Sequence, residues 1–154
     1  MQIWVDADAC PGVIREVIAK AGHKRAINTT FIANHSFSLP RSPYVRLYQV
    51  PSGFDEADKE IQRRVNEGDL VITADIPLAS DVLEKAAEVL TPRGERYTEN
   101  NIKQRLQMRD FMETMRSSGE NTSGPSALRH SDRKHFSDQL DRLLTRAHRA
   151  QKVR

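Results

Sequence analysis

Residues 3–18 read Ile-Trp-Val-Asp-Ala-Asp-Ala-Cys-Pro-Gly-Val-Ile-Arg-Glu-Val-Ile, and the hydrophobic period changes inside that stretch. Ile3-Trp4-Val5 is a short apolar run of strand length. Pro11 then stands at a helix start, and Val13, Ile14, Val17, Ile18 and Ala21 follow at helical spacing up to Gly22. The reading is strand, then helix, with Asp6 and Asp8 at the mouth of the strand. Two acids there are either a solvated cap or the beginning of a cation site, and the rest of the chain has to discriminate.

The same alternation continues outward. Residues 26–33 (AINTTFIA) are rich in β-branched side chains and residues 45–50 (VRLYQV) alternate apolar with polar, so both read as strands around the loop NHSFSLPRSP. Residues 52–69 give a helix with Ala57, Ile61 and Val65 on one stripe, capped near Ser52 or Asp55 and stopped at Gly68. The apolar run 70–73 (LVIT) is a strand. A helix follows with Pro77 in its first turn and Leu78, Val82, Leu83 and Ala86 facing inward, and residues 89–91 make a fifth strand. Short strands separated by helical patterns predict βαβ units, hence an α/β sandwich on a mainly parallel central sheet of about five strands. Beyond it, Thr98 caps a helix carrying Ile102, Leu106, Phe111 and Met115. Residues 117–125 (SSGENTSGP) read as a mobile linker, and a helix from about Ser131 turns Phe136, Leu140, Leu143 and Leu144 toward the core.

A chain of 154 residues suits one buried core, so residues 1–150 are taken as a single domain and 151–154 as a basic tail. No run approaches the roughly 18 apolar residues of a membrane span, and the acids at Asp6 and Asp8 break any signal-peptide pattern. A lone cysteine, Cys10, excludes an internal disulfide. A cytoplasmic protein is expected. Net charge is +3, yet residues 1–91 carry 10 Lys+Arg against 13 Asp+Glu while residues 92–154 carry 14 against 8. Such asymmetry suits a polyanion held by a basic segment over an acidic site, and equally a solvated helix face.

In an open parallel sheet, side chains after the C-terminal strand ends converge on a crevice where strand order reverses. Asp6 and Asp8 follow the first strand at i, i+2 spacing, which lets both point to one side of extended backbone. Asp75 follows LVIT in the same way, while Asp55, Glu56 and Asp58 open a helix with Asp55 and Asp58 at i, i+3 on one face. Asp81 lies a turn and a half beyond Asp75. Gathered carboxylates repel one another unless protons or cations offset the charge. Mg²⁺ or Mn²⁺ would do so with oxygen ligands, and would activate water for phosphodiester cleavage. The plainer readings are first-turn acids favoured by the helix dipole for Asp55 and Glu56, a solvated surface acid for Asp81 and a turn residue for Asp69. Thr73 and Asn34 offer hydrogen bonds to a metal water or phosphate, or simply to a turn. Cys10 reads as a small residue closing a tight turn, with a nucleophilic thiol near a helix N-terminus as the alternative.

These elements together resemble the YaiI/YqxD family of uncharacterised bacterial proteins, related in fold to PIN and NYN nuclease domains. The resemblance covers nearly all of residues 1–150. It rests on WVDADACP at 4–11, GFDEAD at 53–58, VITADIPLA at 71–79, and GP at 124–125 followed by DRKHFSDQLDRLL from 132. It implies a PIN-like three-layer α/β/α sandwich with added C-terminal helices. It also implies a divalent metal shared by Asp6 or Asp8, Asp55 or Asp58, and Asp75, with Asp81 as a possible fourth ligand. The two acids and Cys-Pro of DADACP depart from the single acid usual in PIN domains.

The leading expectation is a Mg²⁺- or Mn²⁺-dependent nuclease or other phosphodiester hydrolase acting on RNA, with Asp6, Asp8, Asp58 and Asp75 catalytic and Arg129, Arg133 and Lys134 meeting the phosphate backbone. A haloacid-dehalogenase-type phosphatase is the second enzymatic reading, since Asp-x-Asp after a strand is also its opening motif, with Asp6 as nucleophile and Asp8 as acid/base. A non-catalytic RNA-binding or adaptor module is the third; with aromatics at only 6% of residues, stacking on single-stranded bases is a poor route to specificity. The expected partner is nucleic acid, with no membrane and with a dimer left open.

Overall fold

The computed structural model describes residues 1–53, 55–117 and 127–152. In chain order they form β1 (Ile3–Asp6), α1 (Gly12–Lys24), β2 (Thr29–Ala33), β3 (Val45–Gln49), α2 (Glu56–Arg64), β4 (Leu70–Ile72), α3 (Ile76–Glu84), β5 (Glu88–Leu90), β6 (Arg96–Tyr97), α4 (Glu99–Ser117) and α5 (His130–Lys152). The sheet runs β3-β2-β1-β4-β5-β6. Its first five strands are parallel and β6 is antiparallel to β5. The chain winds outward from β1 through β2 to β3, then crosses back and winds the other way from β4. Strand order therefore reverses between β1 and β4, which pair directly from Ile3–Leu70 to Val5–Ile72.

The period-two alternation of the strands fills two cores. Ile3, Val5, Phe31, Leu70 and Ile72 face α1 and α5, meeting Ile14 and Ile18 of the former and Phe136, Leu140, Leu143 and Leu144 of the latter. Trp4, Ile32, Val71 and Val89 face the other way, onto Ile61 of α2, Leu78 and Val82 of α3 and Ile102 of α4. This is the PIN-like three-layer α/β/α sandwich expected. Burying a large apolar side chain contributes about 1.5–3 kcal/mol, so the four buried residues of α5 make that helix part of the fold.

Several details correct the expectation. The sheet has six strands rather than about five, because β6 is two residues long and a two-residue strand shows no period to read. Val13 is 42% exposed on α1. Ala86 does not face inward: it sits exposed in the turn after α3 with a left-handed φ of 62°, and Ala87 is buried in its place. Phe111 is exposed on α4. Of the expected linker, Ser117 closes α4 and residues 118–125 lie outside the described residues, as do 153 and 154 of the tail. Among the described residues, no helix is long and apolar enough to cross a membrane.

Candidate functional site

At the C-terminal edge of the sheet, where strand order reverses, a cleft of about 190 Å³ is lined by Asp6, Asp8, Asn34, Asp55, Glu56, Asp58 and Asp75, among others. Such a crevice is where ligands bind in open α/β sheets. Asp6 ends β1 and is only 9% exposed. Its Oδ2 accepts a hydrogen bond from the Thr73 hydroxyl at 2.9 Å, and the same hydroxyl oxygen accepts the Asp75 backbone N–H at 3.0 Å. One threonine thus holds the ends of β1 and β4 in register. Burial raises the Asp6 carboxyl above its ordinary range against the lowering effect of Thr73, and the charges of Asp75 and Asp8 add to the rise.

Asp58 enters from the first turn of α2. Burial, then the neighbouring charges of Asp75, Asp6 and Asp55, and finally a side-chain hydrogen bond with Asp75, push it up to about 7. Asp75 also caps α3, its Oδ1 accepting the Leu78 N–H at 2.9 Å, with Pro77 in the first turn. The cap uses one carboxylate oxygen. Asp6, Asp58 and Asp75 therefore form the inner group, with burial first and neighbouring carboxylates after it disfavouring the charged forms of Asp6 and Asp58.

The two acids of the opening motif part company. Asp8 lines the cleft, yet its oxygens accept the Asn34 N–H at 2.9 and 3.2 Å, and Oδ1 lies 2.9 Å from His35 Nδ1. Asp8 thus ties β1 to the loop after β2, and His35 is the neighbour that sequence reasoning missed. Asp55 occupies the N-cap position of α2 in a left-handed conformation, φ 63°, and its side chain makes no capping hydrogen bond, which corrects the expected cap. Aspartate tolerates that backbone region better than most residues.

Other expectations fall away from the cleft. Asp81 is exposed on α3 and does not line it; six residues from Asp75 amount to about 9 Å along a helix axis and a different face. Arg129, Arg133 and Lys134 are exposed near the start of α5, and none lines the cleft. Lys134 pairs with Asp138 at 3.3 Å. That end of α5 is pinned to the β5–β6 turn by Arg93 and Asp132, 3.0 Å apart, and by the close approach of His135 to Gly94, whose φ is +88°. Cys10 is 5% exposed, and burial pushes its thiol up to about 12 despite the Arg15 cation, which leaves the packing role. Asp69 is a turn residue, and more: it accepts from the Gln2 N–H, the Trp4 indole and the Asn66 N–H, each at 2.9 Å.

Among the described residues, no three His, Cys, Asp or Glu side chains form a group that could by themselves hold a metal ion. The cleft offers oxygen donors alone, which suits a hard cation rather than a soft one.

A family profile described as "Uncharacterized BCR, YaiI/YqxD family" matches residues 4–146. A UPF0178 protein of Shewanella loihica is 56% identical over 149 residues, covering 97% of this chain and 99% of that one. A UPF0178 protein of Marinobacter nauticus is 57% identical over 146 residues, 95% and 97% of the two chains, and one of Proteus mirabilis is 56% identical over 144 residues, 94% and 95%. No solved structure matches the chain. With a profile spanning nearly its whole length and relatives of this similarity, the chain belongs to the YaiI/YqxD family.

Proposed function

We propose that the chain is a divalent-metal-dependent phosphodiester hydrolase acting on nucleic acid, RNA foremost, with its reacting centre at the β1–β4 crevice. The observation that carries this reading is the convergence of Asp6, Asp58 and Asp75 on one cleft where strand order reverses, with burial, and after it neighbouring carboxylates, raising Asp6 and Asp58.

Mg²⁺ and Mn²⁺ keep several waters and take one or two carboxylates beside substrate phosphate, so an open set of carboxylates fits them better than it would fit a closed cage. The described side chains form no ready-made metal group, so one or two of Asp6, Asp58 and Asp75 would hold the ion, with waters and substrate phosphate completing its shell. Bound there, it would supply an activated water and stabilise charge developing on a phosphate. Thr73 orients Asp6 and fixes the backbone at Asp75. Asp75 is further held by its cap of α3. Asp8 keeps the Asn34–His35 loop at the rim of the cleft. The phosphatase reading is disfavoured, because Asp8, its acid/base, is engaged by Asn34 and His35. RNA as substrate rests on the net positive charge of residues 92–154, whose Arg129, Arg133 and Lys134 lie outside the cleft's lining.

The test is Mn²⁺-dependent cleavage of labelled single- and double-stranded RNA and DNA by the wild type and Asp75→Asn. Asparagine caps a helix as well as aspartate, so the variant should fold. The expected result is loss of cleavage by at least about a hundredfold, the upper end of what even outer-shell partners cost a metal site. Equal rates in both proteins would remove the crevice from the chemistry, and RNA binding without turnover would favour the non-catalytic module.

A further inference from the structure

A second cleft, of about 500 Å³, lies between the start of α3 and the outer half of α4, and it shares Asp75 with the acidic cleft. Tyr97 of β6 lines it on one side; Arg105, Met108, Arg109 and Met112 of α4 line it on the other. The inner half of α4 is ordinary core, with Ile102 buried. Farther along the helix that ends: Met108 is 55% exposed and Phe111 57%. Methionine and arginine there open onto a cleft that adjoins a candidate hydrolytic site.

We infer that this cleft holds the nucleotide flanking the scissile phosphate of a single-stranded nucleic acid, with Met108 and Met112 against the base and Arg105 and Arg109 toward the backbone phosphates. The inference rests on the hydrolase reading for the position of the scissile group. Adjacency supplies the first argument, since Asp75 lines both clefts and a strand whose phosphate reaches the acidic crevice has this one beside it. The second is the pair of guanidiniums, Arg105 and Arg109, in a lining whose acids are Asp75 and Glu113. Arg105 pairs with Glu95, and Arg109 with Glu113 at 3.2 Å and Asp110 at 3.7 Å. These are ion pairs at the protein surface, which contribute little to stability, so a phosphate replaces the carboxylate at small cost, and a guanidinium binds it in bidentate fashion. Polarisable, flexible methionines accept differently shaped bases. The cleft is thus suited to recognising single strands without reading their sequence.

The experiment measures fluorescence anisotropy of a labelled single-stranded RNA decamer with the full chain, using Ca²⁺ in place of Mn²⁺ to limit turnover. Wild type is compared with Met108→Ala, Arg109→Glu and Arg133→Glu, with circular dichroism to confirm folding. Expected is a dissociation constant roughly tenfold higher for Met108→Ala and for Arg109→Glu, comparable to losing one stacked base contact, with a shallower salt dependence for the latter. Unchanged binding in both variants, or loss with Arg133→Glu alone, overturns the inference. A wild-type dimer that Met108→Glu dissociates, with RNA binding unmoved, overturns it in favour of a second copy of the chain. Hydrolysis of bis-p-nitrophenyl phosphate by the wild type with Mn²⁺ reports on the acidic cleft alone. If that diester is cleaved while the decamer ignores the α4 variants, the hydrolase reading survives and this inference fails. If the decamer responds as expected and neither substrate is cleaved, the hydrolase reading fails and the cleft remains a nucleic-acid site.

Discussion

Asp6 and Asp69 stand at opposite ends of the same two paired strands and are almost equally buried, at 9% and 4% exposure, yet they are different kinds of residue. Asp69 precedes β4 and accepts from three donors, two backbone N–H groups and the Trp4 indole. Asp6 ends β1 and has one donor among the described residues, Thr73, with Asp75 and Asp8 as charged neighbours. Burial alone therefore does not mark a functional acid. The discriminating feature is whether donors or other acids surround it, because a carboxylate satisfied by hydrogen bonds is structure and one crowded by carboxylates waits for a cation or a proton.

Substitution should separate the pair most sharply. Asp69→Ala strands three donors at the N-terminal edge of the sheet, and should cost about 3–5 kcal/mol in urea unfolding at pH 7. Asp6→Asn removes a repelled charge and should be neutral or slightly stabilising in the same measurement. Equal losses in the two variants would break the comparison.

The pH dependence follows from the same contrast. Asp58 titrates near 7 when folded against an ordinary value of 3.8, so folding favours its protonated form. That stability is present in full below the unfolded value and is lost as pH rises through about 7. The melting temperature of the metal-free chain should accordingly fall between pH 5 and pH 8 by about a few degrees, and Asp58→Asn should flatten the slope. Mn²⁺ should raise the melting temperature more at pH 8 than at pH 5. A metal-free chain that gains stability over this range would contradict the raised Asp58 carboxyl, which burial first and neighbouring acids second push up.

Asp8 falls between the two extremes, paired with Asn34 and His35 at the rim of the acidic cleft. Asp8→Ala should cost about 1–2 kcal/mol in urea unfolding, whereas a loss as large as that of Asp69→Ala would make it a structural acid of the same class. The smallest effect belongs to Cys10. With its thiol pushed up to about 12, native protein should react with a thiol reagent only as fast as it unfolds. Rapid labelling at pH 7 would return that thiol to the list of nucleophiles.

Much of this was legible in the chain. The shift from Ile3-Trp4-Val5 to helical spacing after Pro11 predicts β1 and α1, the placement of acids after apolar runs predicts Asp6, Asp8 and Asp75 at one sheet edge, and the opening of a helix adds Asp55 and Asp58. What escaped was long-range or short. The partnership of Asp8 with His35 joins residues far apart in sequence, and nothing local to either one signals it. β6 is too brief to carry a period. Asp55 looked like a cap from its place before a helix, but its left-handed backbone leaves the side chain without a capping bond. Phe111 follows the apolar spacing of α4, yet it stands exposed.

The most direct test of the β1–β4 crevice as a cation site is calorimetric titration of Mn²⁺ into the chain at pH 7.5, comparing wild type with Asp6→Asn, Asp58→Asn and Asp69→Asn. Saturable binding to the wild type, kept in a folded Asp69→Asn chain and lost in the other two, is the expected result. The same weak uptake in all four proteins would contradict the account and remove the proposed cation from the β1–β4 crevice.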